Sequence, residues 1–150
     1  MIIGQAPGQK GNGEPLAGKA GRRLAALCGL SLDAYLARFR RVNLLPTFPG
    51  KAGKGDAFPL PAAREAARAL LPALEGRRVV LLGGRVAAAF GLHRAPLLVW
   101  QPFHGAWVAV APHPSGLNRF WNDPRNVRRA QQFWRTFAAQ APSTSPSQPS

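Results

Sequence analysis

Short apolar runs alternate with longer segments of helical periodicity along most of the chain. The apolar runs predict strands at residues 1–4, 41–46, 78–82 and 106–111, and 97–100 is a candidate edge strand. Apolar residues spaced at three and four positions predict helices at 22–30, 31–39, 61–74, 85–90 and 124–137. Strands that are separated by helices favour parallel pairing with helices on both faces of the sheet. We therefore expect a three-layer α/β/α sandwich with a central, mainly parallel, four-stranded sheet.

Start and stop signals accompany these helices. Ser31 and Asp123 stand where side chains cap helix starts, and Pro61 stands at a first-turn position. Gly29 follows the last apolar residue of the first helix and predicts its end. Residues 47–60 are rich in Gly, Lys and Pro without periodicity, which predicts a mobile loop.

Length and composition predict one domain and a tail. A chain of 150 residues has the usual size of a single domain with one core. After Ala141 the chain contains only Pro, Ser, Thr and Gln, a composition typical of disorder. We expect the domain at 1–139 and a disordered tail at 140–150.

The charge indicates a class of partner. Twenty Lys and Arg against six Asp and Glu give a formal net charge of +14, spread along the chain. Most of the basic residues are Arg, whose planar guanidinium binds phosphate groups well. This composition favours a polyanionic partner, although a generally basic soluble protein would share it, because net charge determines association and not fold.

Several classes of protein are disfavoured. Cys28 is the single cysteine, which excludes an intramolecular disulfide and any all-cysteine metal or iron-sulfur site supplied by this chain. The three histidines and this thiol lack zinc spacing. No apolar run reaches the roughly 20 residues of a membrane span, and the start does not resemble a signal peptide. We expect an intracellular monomer, cytoplasmic or nucleoid-associated, with no membrane partner.

Four polar or glycine positions follow predicted strands. They are Gln5, Asn43, Gly83 and His113. Because ligands of parallel sheets bind at the carboxyl ends of the strands, we expect these positions to lie along one rim. His113 stands between two prolines, which stiffen the backbone that presents it, although a turn with an incidental histidine has the same pattern. Asn43 ends a buried strand, so its amide either pins a neighbouring loop or reads the edge of a ligand.

The glycine-rich segment 5–21 predicts a cradle for a phosphate or another ligand, because glycine lets backbone N–H groups approach an anion closely. Residues 13–19 even have the pattern GxxxxGK. A P-loop is disfavoured, since Ala20 replaces the hydroxyl that binds Mg²⁺ and the pattern begins nine residues after the strand.

Four stretches, in order and at suitable spacing, resemble motifs of the uracil-DNA glycosylase superfamily. Gly4–Gly8 (GQAPG) is similar to its first motif, and Gly13–Gly21 (GEPLAGKAG) is similar to the GxPFVGxAG stretch of its thermophile-type branch. Asn43 resembles its strand-end Asn, and His113–Ser115 resembles its HPS motif. The resemblance covers residues 1 to 137. It implies that a base is flipped out of DNA and its glycosidic bond is hydrolysed, with an abasic product and without a metal or other cofactor.

The resemblance also implies roles for individual residues. His113 would donate a hydrogen bond to the leaving base, with Gln5 and Asn12 as candidates for orienting water. Asn43 would pair with uracil, and Ala6, Gly8 and Leu16 would line the same pocket. Leu117 would act as a wedge in the DNA. The complete set expected to contact DNA is Lys19, Gly83, Gly84, Ser115, Leu117, Asn118 and Arg119.

Four positions depart from the family's pattern. Gln5 stands where the thermophile-type branch has Glu, and Ala6 stands where several branches have Asp or Asn, so the first motif contains no carboxylate. Leu16 replaces a stacking Phe, and Gly8 replaces the bulky Tyr of one branch. A neutral amide orients water without acting as its base, so the activity is expected to be slow or selective.

Three hypotheses about function follow. The first is a repair glycosylase that removes uracil or another deaminated base from DNA. The second is a protein with the glycosylase fold that binds nucleic acid with weak or no catalysis, which the missing carboxylate favours. The third is a nucleotide-binding α/β protein, which has the same alternation of strands and helices.

Overall fold

The computed structural model describes residues 1–9, 13–115 and 118–141. Two compact units are present, and each is built from two segments of the chain. We call Met1–Leu16 with Arg41–His113 the sheet unit. Ala17–Arg40 with the chain from Pro114 onward is called the helical unit.

The sheet unit contains seven strands and two helices among its described residues. In chain order its strands are β1 (Ile2–Gly4), β2 (Arg41–Asn43), β3 (Lys51–Ala52), β4 (Gly55–Asp56), β5 (Arg78–Leu82), β6 (Gln101–Phe103) and β7 (Ala106–Ala111). The helices of the whole described chain are α1 (Lys19–Cys28), α2 (Leu32–Arg38), α3 (Leu60–Leu74), α4 (Gly84–Ala89) and α5 (Pro124–Gln140). Of these, α3 and α4 belong to the sheet unit and the other three to the helical unit.

Five strands form the central sheet in the order β2-β1-β5-β7-β6. The first four are parallel, and β6 pairs antiparallel with β7 at the edge. Ile3 is in register with Val42 on one side and with Leu81 on the other, and Leu81 is in register with Val110. The carboxyl ends of four strands therefore lie along one rim. The mixed α/β fold with a mainly parallel central sheet is as predicted.

Both faces of the sheet are buried, as parallel sheets require. One face packs with α3 and α4 in a cluster that includes Ile3, Val79 and Val108. Residues of the opposite face are also at most 2% exposed: Ile2, Val80, Leu82, Ala109 and Ala111. This double burial explains why β5 reads as a continuous apolar run rather than an alternating one.

The sheet has five strands where four were predicted. The edge strand is Gln101–Phe103, whereas in 97–100 only Leu97 makes a bridge, a parallel one to Val110. His104 and Gly105 both have positive φ, 48° and 76°, which is the backbone of a type I′ hairpin turn that joins β6 to β7. Pro102 lies within this strand, which an edge position accommodates because a proline there loses no bond to a second neighbour.

The segment 47–60 contains a hairpin, which the sequence analysis did not predict. β3 and β4 pair antiparallel, with Lys51 and Asp56 in register and their side chains 3.2 Å apart. Arg85 of α4 donates from Nη1 to the backbone carbonyl of Asp56 at 2.8 Å, and its guanidinium lies over the Phe58 ring. The hairpin is thus bonded to the start of α4.

The helical unit has an aromatic core. Tyr35 and Trp134 are completely buried, and the rings of Phe39 and Phe137 stack with centroids 5.0 Å apart. Burial raises the pKa of the Cys28 thiol to about 12, so it stays protonated at neutral pH.

The predicted helix signals are confirmed. The Ser31 side chain accepts from the Ala34 N–H, and the Asp123 side chain accepts from the Arg125 N–H. Gly29 ends α1 with a left-handed backbone. Because α5 reaches Gln140, the predicted tail is helical at its first residue, and residues 142–150 lie outside the described chain.

No helix among the described residues is long and apolar enough to span a membrane. Within the same residues, no three His, Cys, Asp or Glu side chains are grouped closely enough to hold a metal ion.

Candidate functional site

Four of the predicted site positions lie along the rim at the carboxyl ends of the strands. Gln5 follows β1, Asn43 ends β2, Gly83 follows β5, and His113 lies two residues beyond β7. Backbone hydrogen bonds continue past the strand ends, from the Leu45 N–H to the Gln5 carbonyl at 3.0 Å and from the Gly83 N–H to the Ala111 carbonyl at 2.8 Å. Residues that are distant in the sequence are therefore held by one rigid edge.

Asn43 lies directly beside Gly4, its in-register partner on β1. A Cβ atom on residue 4 would stand 2.8 Å from Asn43 Oδ1, closer than side chains tolerate. The absence of a side chain at Gly4 therefore creates the space that the Asn43 amide occupies.

Asn43 Oδ1 is a buried acceptor without a hydrogen-bond partner. The other buried and unpaired side-chain atoms among the described residues, Gln101 Nε2 and Trp134 Nε1, are donors. Leaving such a group unpaired costs about 1 to 3 kcal/mol, so an orphaned acceptor at a strand end is suited to receive an N–H group from a ligand.

Leu16 forms a second wall beside Gly4. Its Cδ2 and Cδ1 atoms lie 3.0 and 3.3 Å from the position of a Cβ on Gly4. Its φ is +55°, a left-handed backbone that costs a residue other than glycine roughly 1 to 2 kcal/mol. This backbone conformation places the apolar Leu16 side chain beside Gly4, where the Asn43 amide also lies.

His113 is held against the next strand of the sheet. It is partly buried and follows the buried Pro112. A Cβ on Gly83 would lie 3.5 Å from His113 Cβ, and the φ of Gly83, +88°, is one that other residues rarely adopt. Gly4 ends β1 and Gly83 follows the neighbouring strand β5, so Asn43 and His113 lie on opposite sides of the middle of the rim.

The remaining predicted residues of the sheet unit have varied environments. Gln5 and Ala6 are partly buried, and Ala6 packs against the core. Gly8 and Gly84 are exposed, with open space where a side chain would start. Asn12 lies outside the described residues.

The other residues predicted to contact DNA belong to the helical unit. Lys19 begins α1, and Lys19 and Arg119 are exposed. The Asn118 side chain accepts from the Phe120 N–H and caps a short 3-10 helix, while its backbone N–H donates to the Ser115 carbonyl at 3.1 Å. Leu117, the predicted wedge, lies outside the described residues.

Two arginines that the sequence analysis did not single out have structural contacts near these segments. In the sheet unit, Arg41 donates to the Pro15 carbonyl at 2.7 Å and pairs with Glu14 at 3.0 Å. In the helical unit, Arg23 donates to the Pro114 carbonyl at 2.6 Å beside a cavity of about 300 Å³. The one local signal for Arg41 is that this charged residue stands at the start of an apolar strand.

The rim is polar and contains no carboxylate among the four predicted positions. Its side chains are two amides and an imidazole, and the one acid of the preceding loop, Glu14, is paired with Arg41. An unpaired amide acceptor, an apolar wall and an imidazole are side chains that suit a polar ligand with an N–H donor.

The comparison with protein families assigns the chain to one superfamily. The model of the Uracil DNA glycosylase superfamily matches residues 1–138. The chain therefore belongs to the uracil DNA glycosylase superfamily, and the match includes segments of both units. No curated protein matches the chain closely enough to count as a relative. Membership supports, at a coarse level, a glycosylase-type hydrolase of base excision repair that binds DNA.

The contact between Gly4 and Asn43 gives a testable prediction. We expect Gly4→Ala to displace the Asn43 amide, because the new Cβ meets Oδ1 at 2.8 Å and a side chain yields more easily than a strand. Base release from a uracil-containing oligonucleotide should slow by about tenfold or more, the effect of losing roughly 1.4 kcal/mol. The melting temperature should change by only a few degrees.

Gly55→Ala is the matched control, since a Cβ at that strand position meets open space. It should leave both measurements unchanged. An unaltered rate in Gly4→Ala would show that the position of the Asn43 amide does not matter for base release.

Proposed function

We propose that this protein is a DNA glycosylase that flips uracil, or another deaminated base, out of DNA and hydrolyses its N-glycosidic bond. The observation that carries the proposal is the buried, unpaired Oδ1 of Asn43 on the rim where His113 also lies. Uracil presents an N3–H donor beside the O4 acceptor, so Oδ1 accepts from N3–H while Nδ2 donates to O4. Cytosine presents the opposite pattern at both atoms and would be rejected.

His113 is proposed to stabilise the departing base. As the bond between C1′ and N1 breaks, its electron pair stays on the base and positive charge develops on the sugar. A hydrogen bond from the imidazole to a uracil carbonyl oxygen strengthens as that negative charge grows, so it lowers the barrier more than it improves binding. Water then adds to C1′ and loses a proton, which leaves an abasic site and the free base.

The attacking water has no carboxylate to serve as base within the first motif. Gln5, at the end of β1, is proposed to orient it, with Asn12 as the second candidate. General base catalysis typically contributes 10²- to 10⁴-fold, so turnover is expected to be slow. A dissociative reaction tolerates this loss because the sugar cation is a strong electrophile.

The helical unit supplies charge for a polyanion. Residues 17–40 and 114–141 contain ten Lys and Arg but only two acids, Asp33 and Asp123. We propose that Lys19, Ser115, Asn118 and Arg119 contact phosphates, together with Gly83 and Gly84 of the sheet unit, and that Leu117 fills the space left by the flipped base.

A second function is favoured by the missing carboxylate, namely binding of DNA without catalysis. The experiment that separates the two uses a labelled oligonucleotide with a single uracil, incubated with the protein and then treated with alkali. Strand scission supports the glycosylase, whereas binding without scission supports the alternative. Parallel substrates with hypoxanthine and mismatched thymine identify the preferred base.

The proposed role of His113 predicts a specific pattern of loss. We expect His113→Ala to slow single-turnover base release by about 10²- to 10³-fold, because one donor to a developing anion contributes this much. The affinity for DNA, measured by gel shift, should change by less than about threefold.

His93→Ala provides the control, since His93 is exposed and lies away from the strand ends. It should have wild-type rates and affinity. Equal losses of rate and affinity in His113→Ala would contradict a role for His113 in the transition state.

The proposed pairing of Asn43 with uracil predicts a change of substrate. A carboxyl group at this position accepts from the cytosine amine but, when ionised, donates nothing to O4 of uracil. We expect Asn43→Asp to shift the ratio of uracil to cytosine release toward cytosine by at least about tenfold. Loss of both activities in a protein with unchanged melting temperature would instead make Asn43 a structural pin.

A further inference from the structure

The face of β2 that carries Asn43 also carries Arg41. Side chains alternate along a strand, so residues 41 and 43 point to the same side of the sheet. Arg41 is in register with Ile2 of β1, and Asn43 is in register with Gly4. The loop segment 14–16 contacts Arg41 through Glu14 and Pro15, and its Leu16 side chain lies beside Gly4, the in-register partner of Asn43.

Arg41 holds that loop with two nitrogen atoms. Nη1 donates to the Pro15 carbonyl at 2.7 Å, and Nη2 lies 3.0 Å from Glu14 Oε2. The Arg41 side chain is only 9% exposed, whereas that of Glu14 is 68% exposed. The planar guanidinium presents its two donors at a fixed angle, so a buried Arg41 fixes the geometry of the loop better than a lysine would.

Leu16 directly follows Glu14 and Pro15, the two residues that Arg41 contacts. Its left-handed backbone is held immediately beyond the Pro15 carbonyl, and its side chain contacts Gly4 beside Asn43. The contacts of Arg41 therefore determine where this apolar wall stands relative to the amide that is proposed to read the base.

We propose that Arg41 is a positioning residue for the base site. Its contacts with Glu14 and Pro15 fix the position of Leu16, and Leu16 determines the size of the base ring that fits beside Asn43. This inference rests on the proposed function of the rim. With the loop fixed, Leu16 narrows the space next to Asn43 to that of a pyrimidine such as uracil. With the loop released, Leu16 retreats, and the larger hypoxanthine ring fits as well.

Arg41 acts through the loop rather than on the base. Arg41 bonds to the Pro15 carbonyl and pairs with Glu14, both in the loop, and the carboxylate of Glu14 compensates its charge. Its removal should therefore weaken the fit of the base, raising KM, while the chemical step at a saturated site changes little.

The test compares Arg41→Lys with wild type on matched oligonucleotides that contain uracil or hypoxanthine. Lysine keeps the charge but cannot make both contacts in the fixed geometry of the guanidinium. We expect KM for uracil to rise about tenfold, kcat to stay within about threefold, and the preference for uracil over hypoxanthine to fall about tenfold. Arg68→Lys, an equal exchange at an exposed position of α3, should leave all three values unchanged.

A double-mutant cycle with Leu16→Ala separates positioning from a general loss of stability. If Arg41 works through Leu16, Leu16→Ala should relax the preference in wild type but have little further effect in Arg41→Lys. Independent, additive effects of the two substitutions would overturn the proposal.

Hydrogen exchange of the DNA-free protein supplies a readout that needs no activity. The backbone amide of Leu16 should exchange at least about tenfold faster in Arg41→Lys than in wild type. Unchanged exchange with unchanged selectivity would refute the proposal while leaving the glycosylase intact. If the wild-type protein releases no base but the amide of Leu16 exchanges faster in the variant, the proposed function is refuted. The role of Arg41 in fixing the loop is then still supported.

Discussion

The close approach of Asn43 to Gly4 is the constraint on which the site depends. Parallel pairing puts the two residues in register, and the missing Cβ at Gly4 lets the amide lie against the β1 backbone with Oδ1 buried. An unpaired acceptor there reduces stability by about 1 to 3 kcal/mol, a cost that two hydrogen-bonded strands can sustain and a free loop could not. The folded chain thus maintains a preformed acceptor, and a ligand N–H recovers the lost energy on binding.

The basic residues that favour binding of a polyanion are different from the rim side chains that are proposed to act on the neutral base. The chain has a net charge of +14, yet the side chains that follow the strands of the rim are neutral amides and an imidazole, and Glu14 is paired with Arg41. In the proposed reaction negative charge accumulates on the base, and a nearby carboxylate would raise its energy by Coulomb repulsion, which is strong in a site that excludes water. Replacing the acid of the first motif by Gln5 therefore sacrifices a general base but also removes a repulsive charge from the leaving group.

Hydrophobic periodicity predicted the elements that depend on local sequence patterns. The five helices, the buried strand Arg78–Leu82 and the caps at Ser31 and Asp123 follow from local patterns, and the convergence of Gln5, Asn43, Gly83 and His113 follows from parallel topology. The edge strand Gln101–Phe103 was missed because Pro102 disfavours a strand locally. The bonds of Arg41 to Glu14 and Pro15 span 27 and 26 residues, so local sequence patterns do not reveal them. The roles of Asn12 and Leu117 and the thermophile-type branch remain predictions.

The backbone of Leu16 shows how such a long-range contact acts on a site. Three residues other than glycine have positive φ among those that the structure describes, and one of them, His104, belongs to a hairpin turn that requires it. Leu16 lies in a turn directly after Pro15, and its left-handed conformation costs roughly 1 to 2 kcal/mol. The charge-assisted hydrogen bond from Arg41 to the Pro15 carbonyl contributes about 1.5 to 3 kcal/mol, enough to offset that strain. Glycine at position 16 would relieve the backbone but would remove the wall beside Gly4 and Asn43. A turn position that favours glycine therefore carries an apolar side chain beside Gly4, at a cost in backbone strain.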